Sequence, residues 1–501
     1  MPAMKDHRHL DDCDETRRRR RRTWLLACWI GAGACTLPAA ADTDEPAVVR
    51  VDFAAPAGTI RPLHGVNNGP LCRGETVDLS EYWKQIDVPL ARLHDCDWPG
   101  GNVADMHAVF PDAGADPASP ASYRFGRTDD YVAAIVRCGS GVVYRLGESI
   151  EHSRRKHHVH PPADPARWAQ ACVGIIRHYN QGWAEGSRHN IRYWEIWNEP
   201  ENRPAMWTGN DEDYFRLYEH AAGAIAAAFP DVKVGGPSAG HIGEVAGDRL
   251  KATPMLEGLL ERCKAKNVPL HFFSWHTYCD DPFLYARKAR AVRRWLDERG
   301  FKATEIHLNE WNYLPSNDWG GMLAKDPSVR GRWHQELGAA SAAAFAAAAL
   351  CDLQDSPVDA ANFYTGDHGS FGLFTREGEP RKTFYAFKAF RMLLDTPRRV
   401  KVERSGPTGG LAACAGLDAD GKRATVLIAN YRGRAGLEVS LDRLPWTLAG
   451  QWQLLALDDK HDLVAVRTGR SDGPSAQVRI DCPAPCVVVL RLAAGESAPS
   501  K

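Results

Sequence analysis

Residues 193–202 read YWEIWNEPEN. From Tyr193 to Trp197 the run has the aromatic and β-branched character of a buried strand. It then ends on Asn198 and Glu199, a polar pair, and on Pro200, which cannot continue a ladder. A solvated loop has no use for two tryptophans and an isoleucine. A core strand has no use for a terminal carboxylate. A strand whose end opens onto a pocket satisfies both, and the flanking sequence says which architecture makes such an end.

Around this run, short apolar stretches alternate with longer amphipathic ones. The expected strands are Leu63–Val66, Pro89–Leu93, Val142–Leu146, Ile191–Trp197, Val232–Gly235, Leu270–Trp275, Glu305–Asn309 and Ala360–Tyr364. Helical spacing follows most of them, in Pro165–Asn180, Asp211–Phe229, Phe283–Arg299 and the Ala-rich Arg332–Leu350. Eight strand-plus-helix units predict a (β/α)8 TIM barrel over residues 58–397. An open doubly wound sheet would need a Gly-rich phosphate turn after its first strand, and the sequence has none there. Beyond residue 398 the helical period vanishes. Leu411–Leu417, Arg423–Ala429, Leu437–Leu441, Gln451–Leu457, Ala476–Ile480 and Cys486–Leu492 read as strands between Gly, Asp and Pro turns, predicting a β-sandwich over 398–495. Residues 42–57, with the alternating Ala47–Phe53, are expected to add a strand to that sandwich.

The start of the chain is of another kind. Six arginines, Arg17–Arg22, precede the apolar run Thr23–Ile30 and the small residues Ala39-Ala40-Ala41. This is the order of a signal peptide, here residues 1–41, with an apolar segment too short to span a membrane. Arg21-Arg22 followed by Thr-Trp-Leu-Leu also resembles a twin-arginine signal. A periplasmic or secreted protein is therefore expected, with no membrane association once the signal is removed. Of 13 cysteines, ten follow Ala41; Cys482 with Cys486 and Cys72 with Cys96 are candidate disulfides, free buried thiols the alternative. A net charge of −1 gives no field that would gather nucleic acid or an anionic membrane. No zinc-type cysteine spacing appears, and no metal or cofactor is called for.

In a barrel the chemistry sits at the C-terminal ends of the strands. Strand four ends on Asn198-Glu199-Pro200, and strand seven on Asn309-Glu310-Trp311. Two carboxyl groups entering one barrel mouth from opposite walls is the arrangement that cleavage of a glycosidic bond uses, one to protonate the leaving oxygen and one to attack or activate water.

The segments GVNNGP (65–70), RLHD (92–95), YWEIWNEPEN (193–202), DYFRLYEHAAGAI (213–225), VKVGGPS (232–238), FFSWHTY (272–278) and IHLNEWN (306–312) resemble, in order, those of glycoside hydrolase family 39, the family of β-xylosidases and α-L-iduronidases. Together they are far more specific than WNEP alone, which recurs among related barrel hydrolases. The resemblance implies a retaining double displacement on an oligosaccharide or polysaccharide, with Glu199 as acid/base and Glu310 as nucleophile. It also implies that Asn198 holds the sugar 2-hydroxyl. His276 and Tyr278 are expected beside Glu310, and His94 and Arg92 on the floor of the site. Arg92 has a second reading, as a brace for Glu310 or another buried acid. Trp311 reads equally as an aromatic floor or as core. The raised pKa of the acid is expected on Glu199.

Some stretches depart from that pattern. Tyr144–Glu151 does not match the family at strand three, and Glu148 and Glu151 read either as cleft acids or as solvated loop acids. After strand eight the chain has Tyr364-Thr365-Gly366-Asp367-His368 where xylosidases tend to offer a Trp. The His152, His157, His158 and His160 group reads as a solvated loop, with a metal or an acidic glycan as the sharper alternatives. Two other functions remain open from sequence: a non-catalytic carbohydrate-binding protein on a hydrolase scaffold, and an endoglycanase of another barrel family with the same WNEP element.

Overall fold

The computed structural model describes residues 46–72, 77–98, 101–433, 435–446, 450–471 and 473–495; the signal peptide expected over 1–41 lies outside them. Eight parallel strands close into a barrel: β1 (Gly65–Asn67), β2 (Leu90–Leu93), β3 (Gly141–Leu146), β4 (Tyr193–Ile196), β5 (Lys233–Ala239), β6 (Phe272–Cys279), β7 (Glu305–Tyr313) and β8 (Ala360–Phe363). They pair in chain order, and β8 returns to β1 through Phe363 opposite Val66. Eight helices surround the strands: α1 (Ser80–Ile86), α2 (Gly126–Arg137), α3 (Pro165–Gln181), α4 (Asp211–Ala228), α5 (Pro254–Lys266), α6 (Leu284–Glu298), α7 (Ala340–Asp352) and α8 (Lys382–Leu394). The TIM-barrel architecture expected from the alternation is present.

The helices start where local chemistry tells them to. Asp164 accepts the N–H groups of Ala166 and Arg167 ahead of Pro165, and Asn210 and Asp213 form a reciprocal capping box at α4. The single helix expected over Arg332–Leu350 is instead two, Pro327–Glu336 and α7. Gly338 lies at the break, where a Cβ would sit 1.9 Å from Arg381 Nε. Arg381 donates from there to the carbonyls of His334 and Gly369. The helix gives way to that guanidinium.

The C-terminal strands and Ala47–Thr59 form one curled nine-stranded sheet. Ala47–Thr59 runs antiparallel to Arg398–Ser405 and parallel to Gly436–Asp442. The concave side encloses a second core that includes Val49, Val426, Val439 and Leu490. Ala412, Leu427, Ala429, Val487 and Val489, on the other side, join the barrel core next to α7. This explains the alanines of α7: a helix buried on all sides needs small side chains where two layers close on it. Two strands, Arg398–Ser405 and Asp462–Ser471, escape the sequence reading because most of their residues are exposed, which weakens the alternation. The ten cysteines of the described residues are all free and buried, so neither candidate disulfide is formed.

Candidate active site

At the end of β4 the chain leaves the barrel sharply. Trp197 has φ 69° and Glu199 φ 44°, left-handed conformations that cost a non-glycine residue about 1–2 kcal/mol. Trp197 is held by its Nε1 bond to the Met206 carbonyl, 2.8 Å, and by an edge contact with Trp207. Glu199 N donates to the Ser238 carbonyl at 3.0 Å. The aromatic residues of the opening stretch are thus the anchor that lets Asn198 and Glu199 project into the mouth. Gly240 makes room for the carboxyl, since a Cβ there would meet Glu199 Oε1 at 2.5 Å.

At β7 a bulge does the positioning. Leu308 pairs with Trp275, yet the next partners are Glu310 and His276, so Asn309 is extra. The β8 side skips at the same place. As a result two successive residues reach the barrel interior. Asn309 donates to Glu195 at 2.5 Å and to Ser238 Oγ at 3.0 Å, and Glu310 points at the cleft. Tyr278 donates its hydroxyl to Glu310 Oε1 at 2.6 Å.

Arg92, fully buried on β2, organises the layer beneath. Its five N–H groups go to Glu195 Oε2 (2.7 Å), Asn67 Oδ1 (3.0 Å), Glu310 Oε2 (3.2 Å), Asn198 Oδ1 (2.6 Å) and Ser238 Oγ (2.6 Å). Every donor of the guanidinium is used. The bracing reading of Arg92 is the one the geometry gives, because a fully engaged, buried guanidinium has nothing left for a sugar. With Asn198 Oδ1 taken by Arg92, its amide nitrogen is the atom left to donate to a ligand.

His276 joins the two acids. Its Nδ1 lies 2.7 Å from Glu199 Oε1, and its Nε2 lies 2.7 Å from Ser238 Oγ and 3.6 Å from Glu310 Oε2. One carboxylate oxygen from each glutamate and a His276 nitrogen all lie within 4.8 Å of one another. Burial opposes a charge on His276, but Glu310 and the bond to Glu199 outweigh it and hold the imidazole above its ordinary pKa. The raised pKa expected on Glu199 is not found there. Burial pushes its carboxyl up, yet the hydrogen bond and charge of His276 and a 2.9 Å bond from Asn202 Nδ2 hold it below the usual range. The resting proton belongs to the His276 side of the pair.

The sequence profile described as glycosyl hydrolases, family 39, matches residues 149–431, more than half of the chain and a span that holds both glutamates, His276 and Tyr278. The chain belongs to glycosyl hydrolase family 39. A β-xylosidase of Caldicellulosiruptor saccharolyticus is 27% identical over 280 residues, 50% of this chain and 51% of that protein. A β-xylosidase of Geobacillus stearothermophilus is 26% identical over 267 residues, 48% and 49% of the two chains. The chain thus spans about half the length of these curated relatives. The crystal structure of a glucosidase from Croceicoccus marinus superposes with a TM-score of 0.74 at 26% identity, covering 90% of this chain and 100% of that one.

The cleft of this family 39 barrel has a volume of about 700 Å³. Glu199, Glu310, Asn198, His94, His276 and Tyr278 all line it. Trp311 does not. It is fully buried against Tyr285 of α6 and Phe363 of β8, because the bulge returns β7 to its alternation and turns residue 311 towards the helices. His94 is buried beside Asp95; burial, with the charges of Arg92 and Arg145, holds it well below its ordinary pKa and therefore neutral. Cleft residues without an assignment in the sequence reading include Asp95, Glu201, Tyr364 and Trp319. Asp95 and Tyr364 had a signal, their place directly after strands two and eight. Trp319 had one as well, an aromatic residue next to two glycines in a loop; it is 40% exposed and contacts Tyr278.

Glu148 and Glu151 are not cleft acids. Glu151 accepts backbone N–H groups of His157 and His158. Glu148 bonds His107 Nδ1 at 2.5 Å and lines a separate cavity of about 560 Å³ with His107, His157, His158 and His160. The histidine loop therefore walls a cavity of its own, while His152 faces the cleft.

Proposed function

We propose that this family 39 protein is a retaining glycoside hydrolase that cleaves the O-glycosidic bond of a xyloside, a related glycoside or a bacterial exopolysaccharide. The observation that carries the reading is the approach of Glu199 and Glu310 to within 4.8 Å through one oxygen each. Retaining enzymes hold their carboxyl groups about 5–5.5 Å apart, whereas inverting enzymes keep roughly 6.5–9.5 Å for a water. Glu310 attacks the anomeric carbon, the bond to the leaving oxygen breaks, and that oxygen takes the proton which Glu199 shares with His276. Water then attacks the glycosyl ester, gives its proton back to Glu199, and frees Glu310. The Asn198 amide donates to the sugar 2-hydroxyl as positive charge develops at the ring. The presence of both acids speaks against a scaffold kept only for binding. The reading is tested by NMR of the first product from an aryl glycoside. A retained anomer is expected, and an inverted one overturns the mechanism.

We further infer export, from the arginine run, the apolar stretch and Ala39-Ala40-Ala41. N-terminal sequencing of protein from the periplasm or medium is expected to begin near Asp42. Recovery of only uncleaved chain from the cytosol overturns it.

A further inference from the structure

Asp95 stands at the end of β2 with φ 54°, its side chain 22% exposed into the cleft. Its Oδ1 accepts the Ile150 N–H at 3.1 Å, and its Oδ2 accepts the Tyr364 hydroxyl at 3.2 Å. A carboxylate oxygen has two lone pairs, so Oδ1 keeps an acceptor position for a ligand, while Oδ2 also faces His94 Nε2 at 3.4 Å. Burial, with the nearby charge of Glu310, pushes Asp95 up to about 6. It is still chiefly ionised at neutral pH. The nearby cations are few, and Arg145, whose charge favours the ionised Asp95, is fully buried and pairs with Asp105. Arg92 has spent its five donors beneath the floor. His94 is neutral, and His276 is paired with Glu199. Lys288 donates to Thr277 Oγ1 at 2.9 Å, and no arginine lines the cleft among the described residues.

We propose that Asp95 is a specificity residue that restricts the subsite facing Glu310 to an uncharged sugar: it accepts ring hydroxyls and repels a uronic acid. This rests on the glycosidase reading for its location and deepens it by naming the sugar class. A hydroxyl-bearing ring supplies the donor that the open acceptor position of Asp95 lacks. A sugar carboxylate in the same place would face the like charges of Asp95 and Glu310, whose cationic neighbours Arg92 and His276 are already engaged by carboxylates, and that repulsion disfavours the ligand.

The test uses 4-nitrophenyl xylosides, glucosides and glucuronides of both anomers, with full-length protein and its Asp95→Asn variant. Asn keeps the size and an oxygen for the Ile150 N–H. The best neutral glycoside is expected to exceed the best uronide in kcat/KM on the order of 100-fold. Asp95→Asn should lower kcat/KM on the neutral substrate about tenfold or more and narrow the neutral-to-uronide ratio. Tyr364→Phe, which removes one donor to Asp95, should give a smaller loss on the neutral substrate if Asp95→Asn proves unstable. A second arm titrates xylose, glucose and glucuronate calorimetrically, so it needs no turnover. Neutral sugar bound by wild type and at least about tenfold more weakly by Asp95→Asn supports the proposal even if no glycoside is cleaved, a result that would overturn only the hydrolase reading. A uronide or glucuronate preferred by the wild type, or neutral sugars handled equally by the variant, overturns the proposal.

Discussion

His276 and Glu199 make one histidine–carboxyl pair at the barrel mouth, and His107 and Glu148 make another in the adjoining cavity. Their contacts are alike, 2.7 Å and 2.5 Å from ring Nδ1 to carboxyl oxygen. Burial pushes both glutamates up, and in both an imidazole pulls the other way. Yet Glu199 ends below the usual carboxylate range while Glu148 ends at about 7. The neighbours decide the difference. Glu199 has the Asn202 amide and the Arg92 charge on its side, whereas Glu148 faces the like charge of Asp105, whose Oδ2 is 3.9 Å from the His107 ring nitrogen. A hydrogen-bonded pair does not fix where its proton rests; the third charge does.

The largest break in the comparison lies at the residue that only the cleft pair serves. Glu310→Gln should reduce turnover of every substrate on the order of 10⁴-fold or more, with the melting temperature nearly unchanged. The equivalent amide at Glu148 should leave kcat within about twofold. Loss of activity in both would mean that the cavity is part of the reaction site.

Next is the acid itself. Glu199→Ala should cost about 10²–10⁴-fold on glycosides with poor leaving groups and much less on activated aryl glycosides, and azide should restore part of the rate. Equal losses across leaving groups would remove Glu199 from the acid role.

A smaller effect sharpens the contrast between the pairs. On the proposed mechanism His276, held above its ordinary pKa by Glu310 and Glu199, stores the proton needed by the leaving group, so the alkaline limb of the rate profile should report that imidazole. In His276→Gln the proton must sit on Glu199, and the alkaline limb should move to lower pH by about one unit or more. An unmoved limb would show that His276 does not store the proton.

The smallest effect is on stability. Glu148 and His107 both have raised folded-state pKa values. Their stabilising contribution is therefore complete below the ordinary pKa of each and is lost as pH rises through the raised one. For Glu148 that window runs from 4.5 to about 7. Glu148→Gln should flatten the fall in melting temperature across this interval, as calorimetry would register. A slope as steep as wild type would place the titration elsewhere.

These contrasts also mark what the amino-acid sequence exposes. The barrel was legible because strand and helix periods alternate, and Glu199 and Glu310 were legible because a carboxylate ends a run that otherwise reads as core. The side taken by Trp311 was not. The bulge at Asn309 depends on partners in β6 and β8, and a one-residue slip reverses every side chain after it. The pKa of Glu199 was hidden for a similar reason: the ring that sets it stands 77 positions further along the chain. Asp95 was in view within RLHD after strand two, but that place alone does not say whether its side chain turns into the cleft or to solvent.

The guanidinium of Arg92 reaches from β2 to side chains of β1, β4, β5 and β7 and to Asn198, next to Glu199. Being planar and rigid, it acts as a spacer whose dimensions are set by covalent geometry. The separation of the two acids is thereby insulated from the loops that form the rim. Those loops are free to lengthen, shorten or exchange residues as substrates change, and the chemistry below them need not be rebuilt each time.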